Sequence, residues 1–557
     1  ISSSYKIQDR VALARYRGKT VCPECKGKRL RKEVLFIKVN GKDIADLGNM
    51  DINQLYDFFA NIVLDEQDQS IAARILMEIN SRLSTMVSIG LGYLSLQRPA
   101  STLSGGETQR IHLTRLLGSN LTGSMYLLDE PSVGLHPRDT ANLISALKKL
   151  RNLGNTVILV EHEEEVIKHA DFLVDMGPEA GIMGGEVIFT GNYTDIETSP
   201  VNNSLTIDYL LGRKKIEVPS QRRVSRSFLK MEKVNLHNLK DVDVTIPLNC
   251  IVCVTGVSGS GKSSLIKGVL YPTLENAIQN DLTEASTNFI QRLSGDIKRI
   301  NKVEMIDQQP IGKSSRSNPV TYVKAYDYIR DLFTSQPMSK LRGFKPKHFS
   351  FNVEGGRCET CKGEGVTVVD MQFLADVTLV CEECKGMRFK NEVLDVKYKD
   401  KNIFDVLEMD IMEAVTFFEG NNEIINRIMP LYEIGLGYVR LGQSSSSLSG
   451  GEAQRVKLAS FLTKENKVAH TLFIFDEPTT GLHFEDVRKL LIAFNKLIEK
   501  GNSIIIVEHN MEVIKSSDYL IDIGPEGGAE GGEILYQGVP EGLLKVKKSH
   551  TAKYLKV

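Results

Sequence analysis

The sequence predicts an α/β protein whose parallel sheets are duplicated within one chain, each copy carrying an insertion with paired cysteines. Three observations predict it. The chain holds two long copies of one text, its apolar strand-sized runs end in paired acidic residues, and a glycine-rich loop joins one such run to a helix start. The 557 residues suffice for three to four domains of about 150 residues each. With 69 Lys and Arg against 70 Asp and Glu there is no uniformly basic field, so any affinity for nucleic acid has to come from a local patch. The composition is that of a soluble globular chain and not of a disordered one. Its longest apolar runs, such as Ile504 to Val507 and Cys250 to Val254, are far shorter than the roughly 18 residues of a membrane helix, so the chain is not expected to span a bilayer by itself.

The duplication comes first. Leu103-Ser-Gly-Gly-Glu107 followed by Gln109-Arg110 recurs as Leu448-Ser-Gly-Gly-Glu452 followed by Gln454-Arg455. Asp129-Glu130-Pro131 recurs as Asp476-Glu477-Pro478, and Glu161-His162 as Glu508-His509. Cys22 and Cys25 recur as Cys381 and Cys384, and the order of motifs is the same in both copies. A repeat this long is a duplicated domain and not a solenoid. The loop Gly256 to Ser263 has no first-copy counterpart, because the same interval carries it to before residue 1. The first copy is therefore expected to be truncated and the chain to be the C-terminal part of a longer protein. Residue 1 is Ile, and Ile1 to Arg10 shows no signal or transit pattern.

The strands come next. Met125 to Leu128 and Leu472 to Phe475 read as buried strands ending in Asp-Glu-Pro, which puts Asp129 and Asp476 at the carboxyl edge of a parallel sheet. There the Asp can hold Mg2+ and the neighbouring Glu130 or Glu477 can act as general base. Val157 to Val160 and Ile504 to Val507 deliver Glu-His pairs to the same edge. His162 and His509 are placed there to sense a γ-phosphate.

The glycine loop completes the nucleotide reading. Ile251 to Val254 breaks into Gly256-Val-Ser258-Gly259-Ser-Gly261-Lys262-Ser263 and then into Ser264 at a helix start. Such a strand, loop and helix cradles phosphate oxygens on backbone N–H groups. Lys262 would reach the β/γ-phosphates and Ser263 the Mg2+. Cys250 and Cys253 on this strand read as buried small side chains.

The other cysteines read differently. Cys358-x2-Cys361-x19-Cys381-x2-Cys384 has the spacing of a four-thiolate zinc site, structural because four thiolates leave no open position. Cys22 and Cys25 keep half of such a site. Cysteine pairs of this kind suit a reducing compartment, which predicts the cytoplasm. Around the module, Lys340, Arg342, Lys345, Lys347, Arg357 and Lys362 stand against Glu354 and Glu359, with Phe344, Phe349 and Phe351 interleaved and Lys313, Arg316 and Lys324 upstream. The strip is either a phosphate-tracking surface or a solvated face over core phenylalanines.

Together these motifs resemble an ATP-binding-cassette ATPase, in which the Leu-Ser-Gly-Gly-Glu signature of one half closes over the phosphate loop of the other. The resemblance implies ATP and Mg2+ held by Gly256, Ser258, Gly259, Gly261, Lys262, Ser263, Ser264, Gln308 and Asp476, with Asp129 in the other site, and Glu477, His509, Glu130 and His162 as catalytic residues. It implies signatures at Ser104, Gly105, Gly106 and Glu107 and at Ser449, Gly450, Gly451 and Glu452. Ser104 to Gly106 would complete the site with the loop, and the opposite site would have none. The strings Asp307-Gln308-Gln-Pro-Ile-Gly312, Arg316-Ser-Asn-Pro319, Phe349-Ser-Phe-Asn352, Gly355-Gly-Arg-Cys358-Glu-x-Cys361, Gly435-Leu-Gly-Tyr438 and Asp476-Glu-Pro-Thr-Thr-Gly-Leu-His483 narrow this further. They resemble the UvrA family, the damage-recognition ATPases of bacterial nucleotide excision repair.

That resemblance implies two tandem cassettes, the first truncated, with helical signature-domain insertions carrying zinc modules. The expected boundaries are 1–120 for signature domain I, 121–200 for the C-terminal part of ATP-binding domain I, 201–226 for a linker, 227–312 for the N-terminal part of ATP-binding domain II, 313–465 for signature domain II, and 466–557 for the remainder of ATP-binding domain II. It implies a homodimer on lesion-bearing duplex DNA, with Arg316, Lys345, Lys347 and Arg357 at the backbone, an SOS-linked excision system in which this chain is not the nuclease, and handover to UvrB through segments missing here. Two other functions stay open: a UvrA-like paralogue that confers resistance to DNA-intercalating drugs, and a cassette ATPase coupled to a non-DNA partner.

Overall fold

The computed structural model describes residues 21–103, 105–118, 122–197, 203–312, 316–369, 377–463 and 470–555. The chain divides into two compact units, Ile1–Asn120 and Leu121–Val557. The first unit carries helices α1 (Ile44–Asn49), α2 (Ile52–Ala60), α3 (Glu66–Ser88) and α4 (Gly105–Leu117). Their starts are set locally. Asp43 and Asp51 accept from backbone N–H groups of the first turn, while Asp46 and Gln54 reach back to the capping residues, which satisfies donors that a helix start otherwise leaves orphaned. The second copy repeats the device, with Asn402 and Asp405 boxing the helix Ile403–Glu408 and Asp410 capping Ile411–Phe417.

In the second unit the first copy supplies β1 (Met125–Asp129), α5 (Pro137–Asn152), β2 (Thr156–Val160), β3 (Leu173–Gly177) and β4 (Glu186–Gly191). The second copy opens with β5 (Phe228–Val234), β6 (Val242–Pro247) and β7 (Ile251–Thr255). A π-wound helical stretch, Ser264–Leu270, then leads into α6 (Tyr271–Gln279). Strands β8 (Ala285–Thr287), β9 (Ile290–Gly295) and β10 (Lys302–Ile306) follow. The insertion carries α7 (Ala325–Thr334), β11 (Val366–Val369), β12 (Val377–Val380), α8 (Asn422–Glu433) and α9 (Gly450–Leu462). The chain returns through β13 (Thr471–Asp476), α10 (Phe484–Glu499), β14 (Ser503–Val507), β15 (Tyr519–Gly524), β16 (Glu533–Gly538) and α11 (His550–Tyr554).

The core is a six-stranded sheet in the order β10-β13-β14-β7-β15-β16, parallel except for the β15–β16 pair. Its central strands are almost wholly buried, as continuous apolar runs covered on both faces must be. Side chains alternate between the faces. Leu472, Ile474, Ile505, Val252 and Val254 pack with Leu265, Ile266 and Leu274 behind the glycine loop. Phe473, Phe475, Ile504 and Ile506 pack with Leu490 and Phe494 of α10 and with Phe333, Ile428 and Val456 of the insertion. Cys250 and Cys253 are buried in this core, and burial pushes the Cys250 thiol up to about 12.

The register decides where the chemistry lies. Asp476 stands opposite Val507, and Val507 opposite Val254. The three segments that follow, the Asp-Glu doublet, the Glu-His pair and the glycine loop, therefore leave the sheet at one edge. In the first copy β1 pairs with β2 in parallel and β3 with β4 antiparallel, as β13–β14 and β15–β16 do. The place that β7 fills in the second copy holds no strand among the described residues, and Leu127, Val160 and Met176 are 72%, 55% and 64% exposed. Between the copies Leu205–Leu210 is helical, and the Tyr209 hydroxyl donates to Glu485 at 2.8 Å.

Candidate nucleotide sites and cysteine module

The glycine loop takes backbone that side chains resist. Gly256, Gly259 and Gly261 have φ of 132°, 75° and 117°, and a Cβ on Gly256 would lie 1.9 Å from the Ile523 carbonyl oxygen. Lys262 is buried, its ammonium donating at 2.9 Å to the carbonyls of Gly256 and Val257. Burial pulls it down to about 8. The hydroxyls of Ser258 and Ser260 are buried without a partner. Buried polar groups normally have one, so a loop with waiting donors and a half-satisfied cation fits a phosphate chain. Ser263 is exposed at the helix start, and Ser264 Oγ lies 3.1 Å from His237 Nδ1.

Around that loop stand the residues from the far half of the copy. Glu477 takes a left-handed φ of 46°, and Glu130 in the first copy takes 44°, conformations a non-glycine residue adopts only when its surroundings impose them. Each glutamate's N–H donates to a strand-end carbonyl, Val507 at 2.9 Å and Val160 at 2.8 Å. Burial, with Asp476 and Glu508 nearby, pushes the Glu477 carboxyl up to about 7. Burial raises Glu130 as well, although the His162 charge opposes it. His509 Nε2 lies 4.0 Å from Glu477 Oε1 and His162 Nε2 lies 3.6 Å from Glu130 Oε1. The Gln308 amide donates to the Glu477 carbonyl at 3.3 Å and to Thr480 Oγ1 at 3.1 Å. The structure thus brings Lys262, Gln308, Asp476, Glu477 and His509 to one edge, and Glu130 with His162 to another.

The glutamates of the two Glu-His pairs, to which the sequence assigned no role, hold these in place. Glu508 accepts from the Thr479 N–H at 2.9 Å, the Thr479 hydroxyl at 2.5 Å and the His509 N–H at 2.6 Å. Glu161 does the same in the first copy, accepting from the Ser132 N–H at 2.9 Å, the Ser132 hydroxyl at 2.7 Å and the His162 N–H at 3.2 Å. The doubled Glu-His text was the signal for this brace. The copies also meet reciprocally. A Cβ on Gly134 would lie 2.9 Å from Glu477 Oε2, and one on Gly481 would lie 2.7 Å from Glu130 Oε2. His136 is fully buried, its ring 5.9 Å from that of His509 and its Nε2 3.1 Å from Thr551 Oγ1 of α11.

The signatures are placed as follows. Ser449 caps α9 and Glu452 boxes it, while Glu452 Oε1 also accepts from the Tyr438 hydroxyl at 2.7 Å. Gly450 lies against Gln308, and Gly451 opens the same helix. The Gln454 amide ties α9 to the sheet through the Ile306 carbonyl at 2.9 Å and the Asp476 carbonyl at 3.2 Å. In the first unit Ser104 lies outside the described residues, Gly105 and Gly106 open α4, and Glu107 Oε1 accepts from the Tyr93 hydroxyl at 2.7 Å. Asp129 ends β1.

Cys358, Cys361, Cys381 and Cys384 are buried, with all four sulfurs within 4.8 Å of one another. Sγ separations of 3.9 Å for Cys358–Cys381 and 3.6 Å for Cys361–Cys384 match the edge of about 3.8 Å that a tetrahedron with 2.3 Å Zn–S bonds requires. The donor set therefore fits zinc. Each knuckle turns on a left-handed pair, Lys362-Gly363 and Lys385-Gly386. Lys26-Gly27 after Cys25 repeats the turn, and the Lys26 N–H donates to the Cys22 carbonyl at 2.8 Å as Lys385 does to Cys381. No third ligand joins Cys22 and Cys25 among the described residues.

The basic strip divides. Lys345 and Lys347 are exposed. Arg357 is buried, its guanidinium donating to the Asn352 carbonyl at 3.0 Å and lying within 3.6 Å of Glu354 and Glu359, and Arg316 lies 3.4 Å from Glu364. Phe349 and Phe351 are core residues, and Lys313 lies outside the described residues.

No family model matches the chain. It is 50% identical over 538 residues to the UvrABC system protein A of Aquifex aeolicus, covering 96% of this chain and 58% of that protein. It is 48% identical over 548 residues to that of Staphylococcus aureus, covering 98% and 57%. The crystal structure of UvrA2 from Deinococcus radiodurans superposes with a TM-score of 0.88 at 41% identity, covering 100% of this chain and 68% of that one. The chain thus spans somewhat over half the length of the curated relatives. With about half of the aligned residues identical over nearly the whole chain and the fold shared throughout, the chain belongs to the UvrA family.

Proposed function

We propose that this chain is the ATP-hydrolysing, DNA-gripping part of a damage sensor in nucleotide excision repair. The observation that carries the reading is the shared sheet edge where Lys262, Gln308, Asp476, Glu477 and His509 converge. In this reading the loop and Lys262 hold the triphosphate, and Asp476 and Ser263 would hold Mg2+, which would supply charge neutralisation at the phosphate oxygens. Glu477 accepts the proton of the attacking water, its raised pKa suiting a base that works near neutral pH. His509 orients toward the γ-phosphate, and Gln308 links the site to the insertion. Glu130, His162 and Asp129 belong to the second site, for which this sequence carries no phosphate loop.

The cysteine module holds zinc as a structural brace for a DNA-facing surface, with Lys345 and Lys347 at the phosphates. Arg357 supports the knuckle from within. In this reading lesions are sensed as duplex that bends or unwinds more readily. As the relatives' name places them in a UvrABC system, handover to UvrB belongs to the same reading, as do a homodimer and a cytoplasmic setting. Among the described residues no helix is long and apolar enough to cross a membrane.

Steady-state ATP hydrolysis tests the reading. Glu477→Gln is expected to lower turnover by about 100-fold or more, the usual contribution of a general base, while leaving ATP binding intact, and duplex DNA is expected to change the wild-type rate. Undiminished turnover in Glu477→Gln would overturn it.

A further inference from the structure

Lys267 projects from the π-wound stretch that follows the phosphate loop, and its ammonium lies 2.5 Å from Asp476 Oδ2. Asp476 is the carboxylate at the end of β13 on which the proposed site depends for Mg2+. The pair is part-exposed, with the side chains 40% and 20% accessible. Next to it stand Glu477, whose carboxyl is already raised by burial, and Asp307, which is held by Lys457 at 2.8 Å.

Physical chemistry makes the pair and the metal alternatives. Mg2+ demands a near-octahedral oxygen shell at about 2.0–2.1 Å and releases its waters reluctantly. An ammonium in contact with the same carboxylate oxygen occupies that shell and repels a dication. Without Lys267, two adjacent carboxylates at the sheet edge would form an anionic pocket open to bare divalent cations. Lys267 neutralises it, and its four-carbon stem and solvent exposure let it swing away at modest cost when the metal arrives. Two ligands that exclude one another lower each other's apparent affinity by the same factor.

We infer that Lys267 is a built-in counter-ion that competes with Mg2+ for Asp476 and sets the Mg2+ requirement of the nucleotide site. The inference rests on the reading of that site as a Mg·ATP site. The residue neither touches the reacting atoms nor supplies the base. It acts through Asp476, as a positioning residue.

The test is binding of a fluorescent ATP analogue, titrated with MgCl2 and repeated in EDTA, in wild type, Lys267→Met and Lys267→Arg. Lys267→Met is expected to lower the half-saturating Mg2+ concentration about two- to fivefold, the range that a part-exposed ion pair supports, with affinity in EDTA unchanged. Lys267→Arg, which keeps the cation, is expected to follow wild type. Unchanged affinity in EDTA also shows that the variant is folded. An unaltered Mg2+ dependence in Lys267→Met would overturn the inference. Weakened binding in EDTA would overturn it too, because Lys267 would then be a phosphate ligand. Failure of wild type to bind the analogue at all would overturn the reading of the nucleotide site, and this inference with it.

Discussion

Glu477 and Glu130 occupy equivalent positions in the two copies. Both sit in left-handed backbone, and each faces a glycine of the opposite copy. The Asp-Glu doublets were legible in the sequence because they follow apolar runs. The facing glycines were not, since Gly134 and Glu477 lie far apart in the chain and nothing local marks their meeting. Gly134→Ala, at φ 67° and with Glu477 Oε2 only 2.9 Å from the new methyl, is expected to add about 1–2 kcal/mol of backbone strain. It should lower hydrolysis at the site of the second copy, although the substitution lies in the first, and turnover at saturating ATP checks this. Glu477 also makes a pH prediction. Its folded pKa of about 7 lies above the ordinary 4.5, so the folded state binds the extra proton and stability falls as pH rises between those values. Glu477→Gln removes the loss. The variant is expected to match wild type in denaturant unfolding at pH 4.5 and to exceed it at pH 8 by up to about 3 kcal/mol.

Elements show why some structure could be read ahead and some could not. Strands β7, β13 and β14 were legible as apolar runs, and the order of motifs placed their ends together. The capping boxes at Asp43, Asp51 and Asn402 and the simple cap at Asp410 are built from residues three apart and so are local as well. The basic strip, left open in the sequence between a phosphate-tracking surface and a solvated face over core phenylalanines, divides on folding. Arg357 is drawn inward because the knuckle at Cys358 brings the Asn352 carbonyl and two glutamates around it, an environment created only by folding. The phenylalanines between the lysines belong to the core for the same reason. The cysteine module, by contrast, follows from spacing, and the fit of its four sulfurs to zinc makes a clear prediction. Cys381→Ala is expected to lose the bound zinc and lower the thermal midpoint, whereas Cys22→Ala leaves zinc content unchanged. Metal analysis of the purified variants checks both.

For the whole molecule, the near-neutral charge means that DNA, on the proposed function, would be held by local patches rather than by a global field. The exposed pair Lys345 and Lys347 is expected to account for part of the salt dependence. Replacing both with Ala should reduce the slope of log affinity against log salt by nearly two, about 0.9 for each phosphate no longer neutralised, with no change in ATP binding. Each glutamate lies against a glycine of the opposite copy, so a change in either copy is expected to alter turnover at the site of the other. The most direct test of this account is the affinity of the zinc-loaded protein for one duplex with and without a bulky lesion, titrated with salt in the presence and absence of ATP. The account predicts tighter, ATP-sensitive binding to the lesion duplex on a steep salt slope. Salt-dependent binding that is blind to both lesion and nucleotide would contradict it.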